Sequence, residues 1–134
     1  MSTEANTGYI LLFRGTHWDK GLSPEEIQKA TGQFMAWFER LTQQGKVKAG
    51  QPLAHEGKIV SGKKGRTVAD GPFAESKEAI GGYFLLQVAN LDEAVAIARE
   101  CPILDYGSTV EVRPVAEQCP QMQRANEQLA HATA

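Results

Sequence analysis

Apolar residues gather along this chain in short runs separated by polar, glycine-rich connections, and the spacing inside each run predicts its backbone. Tyr9 to Phe13 is an unbroken apolar stretch closed by Arg14 and Gly15, with the length and flanks of a buried strand. Ile27, Ala30, Phe34, Phe38 and Leu41 then recur at helical spacing. Ser23 precedes them as a cap, Pro24 takes the first helical position, Glu26 completes a capping box, and Gly45 is placed to terminate the helix. A helix over 24–44 is predicted. Ile59-Val60 and Thr67-Val68-Ala69 flank the Gly- and Lys-rich segment 61–66 and read as a short antiparallel hairpin. Tyr83 to Val88 is a second buried strand. Asn90 and Glu93 repeat the cap pattern before a shorter helix built on Ala94, Val95, Ile97 and Ala98, which cannot pass Pro102. Thr109 to Val115 alternates, with Val110 and Val112 on one face and Thr109, Glu111 and Arg113 on the other. Beyond Pro120 the chain is Gln- and Ala-rich without an apolar stripe, as in a frayed helix or a loose tail.

The order reads β-α-β-β-α-β, a ferredoxin-like α+β unit. One domain over 8–116 is expected, between a flexible N-terminus (1–7) and a C-terminal tail (117–134). Two helices cover only one face of such a sheet. The open face then holds Ile10 and Leu12 with Arg14, and Tyr83 and Leu85 with Gln87. Leaving such residues wet forgoes about 1.5–3 kcal/mol for each large side chain. Packing this face on its own copy about a two-fold axis removes the loss, so a homodimer is expected. Arg14, Gln87, Glu111 and Arg113 would either line cavities at that seam or pair across it and fix orientation.

Composition removes several alternatives. The 134 residues suit one domain, and 42% hydrophobic with 22% charged residues are globular values. Fourteen Lys and Arg against 16 Asp and Glu give a net charge of −2, which provides no basic field for nucleic acid. No apolar run reaches the roughly 20 residues that cross a bilayer, and the first seven residues lack an export signal. The two cysteines, Cys101 and Cys119, form no framework, so reduced thiols and a cytoplasmic location are expected. Segment 57–64 nearly matches a phosphate loop. Lys64 stands where the Mg²⁺-binding hydroxyl is needed, and the segment leads into a strand rather than a helix. No zinc, paired-cysteine or nucleophile-elbow motif occurs, and no metal or cofactor is implied.

The densest polar segment is Asp70-Gly71-Pro72-Phe73-Ala74-Glu75-Ser76-Lys77-Glu78, followed by Gly81-Gly82-Tyr83-Phe84. Together with Leu91-Asp92-Glu93-Ala94 and Val110-Glu111-Val112-Arg113-Pro114, it resembles the DGPF-type members of the YCII-related family, with a similarity running from about Gly8 to Val115. The resemblance implies a dimeric α/β barrel and, for most such members, no assigned reaction. Members of the wider family are suspected enzymes with a His–Asp pair whose histidine lies on the first helix. The corresponding position here is Phe34. DGPF-type proteins are also associated with alternative sigma factors, which implies a possible sigma-factor association.

With that histidine missing, His55 and Asp70 are the best remaining proton-transfer pair, at the entry and exit of the hairpin. Asp-Gly-Pro is equally a turn whose carboxylate bonds nearby N–H groups. His17 beside Asp19 is a second candidate, and a solvated loop explains it as well. Glu75, Lys77 and Glu78 are expected to open a helical turn ending near Gly81. Lys77 either belongs to that turn or binds an anionic ligand with Arg14 or Arg113. Phe73 and Tyr83 complete the candidate ligand contacts, although Phe73 also suits a plug at the core's edge. Two functions follow. One is a small-ligand-binding homodimer with its cleft at the dimer barrel. The other is a small enzyme performing acid–base chemistry on a small aromatic or anionic molecule.

Overall fold

The computed structural model describes residues 8–72 and 78–132. Its elements are β1 (Tyr9–Arg14), α1 (Pro24–Gln43), β2 (Val47–Pro52), β3 (Lys58–Ser61), β4 (Thr67–Asp70), β5 (Ile80–Leu86), α2 (Leu91–Ala98), β6 (Thr109–Pro114) and α3 (Pro120–Ala132). Four strands form one antiparallel sheet in the order β2-β5-β1-β6. With α1 and α2 as its crossovers, this is a ferredoxin-like α+β arrangement.

The helix boundaries follow from local chemistry. Ser23 Oγ accepts the Glu26 N–H at 3.1 Å while the Glu26 carboxylate accepts the Ser23 N–H at 2.9 Å, so both halves of the capping box form. At the other end Gly45 takes a φ of +74°, open to glycine at little strain, and Lys46 N–H donates back to the Leu41 carbonyl at 2.9 Å. Asn90 caps α2 by accepting the Glu93 N–H at 2.8 Å.

Alternation along the strands divides the sheet into two faces. Leu11 and Phe13 of β1 and Phe84 and Leu86 of β5 are buried against Trp37 and Leu41 of α1 and Ala94, Ile97 and Ala98 of α2. Val110 and Val112 of β6 pack against the same core. On the opposite face, Leu12 pairs with Tyr83 and Glu111, and Ile10 pairs with Leu85 and Arg113. These apolar residues are only half-buried in the single chain.

Two expectations are corrected. The sheet's second strand is β2, for which the sequence reading made no provision. The hairpin of β3 and β4 does form, but as a separate two-stranded sheet inserted between β2 and β5. Every residue from 51 to 70 is exposed, so packing on the domain does not hold this arm. Its base is closed by Gly71 N–H donating to the Gly57 carbonyl at 3.2 Å. Strand β5 begins at Ile80 and includes Gly81, while Glu75 and Lys77, where a helical turn was expected to open, lie outside the described residues. The segment beyond Pro120 is the 13-residue helix α3, which buries none of its residues.

Candidate functional site

Between one end of the main sheet and the middle of α1 lies a cavity of about 330 Å³. Its walls come from separate elements. Thr31, Phe34, Met35 and Phe38 repeat at the three- and four-residue spacing that places them on one side of α1. Phe13 and Phe84 supply the sheet wall, and Trp18 and Ile103 come from the connections after β1 and α2. The aromatic rings brace one another. Phe13 meets Phe34 edge-on at 5.3 Å between centroids and Phe84 at 4.8 Å, and Phe38 lies 4.9 Å from Phe84.

Glycines let the walls approach this closely. A Cβ at Gly50 of β2 would stand 2.8 Å from Phe84 Cδ1 and 3.2 Å from Phe38 Cε1. Hydrogen bonds fix the connections around the opening. Gly15 N–H donates to the Ala79 carbonyl at 3.1 Å, Ser108 Oγ donates to the Gly15 carbonyl at 3.1 Å, and Leu53 N–H donates to the Gly81 carbonyl at 2.8 Å. Trp18 is backed by Tyr106, with ring centroids 5.9 Å apart.

His55, in the connection after β2, borders this cavity and also a second, open depression of about 410 Å³ at the base of the hairpin. Asp70 lines that second depression. Its carboxylate accepts from Lys58 Nζ across the β3–β4 ladder, and the two residues are register partners. The imidazole nearest to His55 is that of His17, with ring centroids 6.4 Å apart and planes inclined at 54°. Sequence reasoning named both histidines but did not bring them together. They stand 38 positions apart in two irregular connections, where no periodicity reports proximity.

The other candidate residues fall elsewhere. Arg14 borders the cavity through its place at the end of β1, but its guanidinium lies on the face turned away from α1. There its Nε and Nη2 both donate to Glu111 Oε1, at 2.9 and 2.6 Å. Glu111 Oε2 in turn stands 3.8 Å from Arg113 Nε, giving a three-residue charge cluster on the open face. Tyr83, paired with Leu12, projects on that same face. Phe34 is part of the cavity wall. Phe73 and Lys77 lie outside the described residues.

Among the described residues, no group of three His, Cys, Asp or Glu side chains is arranged to hold a metal ion. Among the described residues, no helix is long and apolar enough to cross a membrane. Cys101 lies in the core, and burial pushes its thiol up to about 11 despite hydrogen bonds from the Ile103 and Leu104 backbone.

Comparison with known proteins gives two findings. The YCII-related domain model matches residues 11–126. An uncharacterised protein of Rhizobium meliloti (strain 1021) is 46% identical over 50 residues, which are 37% of this chain and 40% of that protein.

Proposed function

The chain belongs to the YCII-related family, and from that premise we propose that it is a small-molecule-binding protein acting as a homodimer, with the ligand in the cavity between α1 and the sheet. The cavity's aromatic lining carries this reading. It is a concave, mostly apolar volume with a few polar groups at one side, the usual form of a small-ligand site. The dimer rests on the open face. Ile10, Leu12, Tyr83 and Leu85 form an apolar strip beside the Arg14–Glu111–Arg113 cluster, and a second copy set against it would complete a dimeric α/β barrel. The salt bridge that occupies Asp70 favours binding over proton transfer by a His55–Asp70 pair, which is the alternative reading.

Two measurements test the proposal. Ligand-observed NMR with toluene should show saturable binding, and sedimentation velocity at micromolar concentration should show a dimer. Absence of any aromatic binding would refute the ligand site, and a stable monomer would refute the assembly.

A further inference from the structure

Two elements of this chain fold without a buried residue of their own. Residues 51–70, which include the β3–β4 arm, are all exposed, and α3 buries none of its residues. Local structure alone stabilises neither, since an isolated two-stranded hairpin is marginal in water and so is a lone helix of 13 residues. Both present apolar side chains to solvent. Val60 and Val68 are register partners on one face of the arm, 62% and 61% exposed. Met122, Ala125 and Leu129 lie on one side of α3 at three- and four-residue spacing, with Leu129 65% exposed.

The strand register sets these two faces apart within one chain. The order β2-β5-β1-β6 puts β2 and β6 on opposite edges of the sheet. The arm leaves where Pro52 pairs with Gly82 and Ile80 pairs with Arg14, at the Arg14 end of β1. The chain leaves for α3 beyond Pro114, the register partner of Tyr9, at the other end of β1 and on the far edge. Arm and α3 thus depart from diagonally opposite corners, roughly 14 Å apart across the sheet and roughly 17 Å along it.

Charge favours arm against helix over arm against arm. Between 57 and 71 stand four basic residues and one acid, a balance of +3 in a chain whose net charge is −2. Two such arms repel each other. Along 115–132, Glu117 and Glu127 outnumber Arg124, so α3 is the complementary element.

We propose that the arm of one copy packs against α3 of a second copy, reciprocally, so that two arm–helix contacts clasp the homodimer. Val60 and Val68 of each chain then cover Met122 and Leu129 of the other. A two-fold axis lying diagonally in the seam between the open faces brings these corners together, with the strands of the two sheets crossing at about 90°. The inference rests on the face-to-face homodimer and adds the elements that close it and the orientation of the copies.

The test is a charge-pair cycle on the full chain, read by sedimentation velocity over a concentration series. Val68→Glu and Leu129→Lys each put a charge into the apolar contact and should each raise the dimer dissociation constant about tenfold. Combined in one chain, the two charges face each other across the copies, and the double variant should dimerise more tightly than either single variant. Because both positions are exposed in the single chain, circular dichroism of every variant should match the original. Single variants that dimerise as tightly as the original overturn the clasp. Effects that simply multiply in the double variant overturn it too, because the two residues would then not touch. An original protein that stays monomeric overturns the clasp together with the homodimer. A dimer weakened by Leu12→Glu, but by neither of these variants, overturns the clasp and leaves the homodimer standing.

Discussion

Replacing Gly50 with alanine sets a single methyl group against the most crowded wall of the cavity. The new Cβ would stand 2.8 Å from Phe84 Cδ1, 3.1 Å from the Tyr83 carbonyl oxygen and 3.2 Å from Phe38 Cε1. The carbonyl belongs to the β2–β5 ladder and cannot retreat without loosening the sheet edge. Phe84 is 4% exposed and wedged among Phe13, Phe34, Trp37 and Phe38, with ring centroids 4.8–5.6 Å away. Overpacking of this kind costs typically about 1–3 kcal/mol. Reduced freedom of the unfolded chain returns about 0.4–1 kcal/mol, because Gly50 does not need a left-handed backbone. The net expectation is about 1–2 kcal/mol of destabilisation, or roughly 4–7 °C in Tm for a domain of this size. Urea unfolding followed by tryptophan fluorescence measures it, with Trp37 reporting from 5.2 Å beside Phe84. Toluene affinity should fall in the same variant, since Phe38 and Phe84 must shift into the space that a ligand would occupy. An alanine variant as stable as the original, with the same denaturant slope, would refute the claim that these walls are at contact.

Other outcomes follow from features away from the cavity. Cys119 is exposed and should react rapidly with a thiol reagent at pH 8, while Cys101 should react only on unfolding. The folded Cys101 pKa of about 11 lies above its ordinary 9.0, so the stabilisation tied to its neutral thiol is whole below pH 9 and is lost as pH rises through about 11. Denaturation midpoints between pH 8 and 11 should therefore fall more for the original than for Cys101→Ala. Glu111→Gln leaves the half-buried Arg14 guanidinium without its carboxylate and should cost about 1–3 kcal/mol by chemical denaturation, and Arg14→Met with Glu111→Leu should recover most of it. Leu12→Glu places a charge in the centre of the open face and should convert the proposed dimer to monomers in sedimentation velocity, with the helix content of each chain unchanged.

Elements that carry their own local signal were legible from residue types alone. The Ser23–Glu26 capping box, the Asn90 cap and the Val110–Val112 alternation each lie where the sequence put them. Strand β2 was not legible, for a physical reason. Val-Lys-Ala-Gly-Gln-Pro is an edge strand that buries only Val47, and pairing with β5 rather than intrinsic preference holds it extended. The hairpin was legible as a hairpin, but nothing in Ile59, Val60 and Val68 distinguishes a strand of the main sheet from one standing apart. The cavity's phenylalanines were readable as a helix face and two strands, whereas its opening depends on where the connections cross. The approach of His17 to His55 belongs to that last category.

The arm formed by β3 and β4 has an architectural consequence. Because β2 and β5 bond directly to each other, everything between Gly57 and Gly71 hangs from a single closed neck, outside the circuit of the main sheet. Such an appendage can be trimmed, lengthened or exchanged while the scaffold beneath keeps its shape. The surface beside His55 is thus free to diverge independently of the fold that carries it.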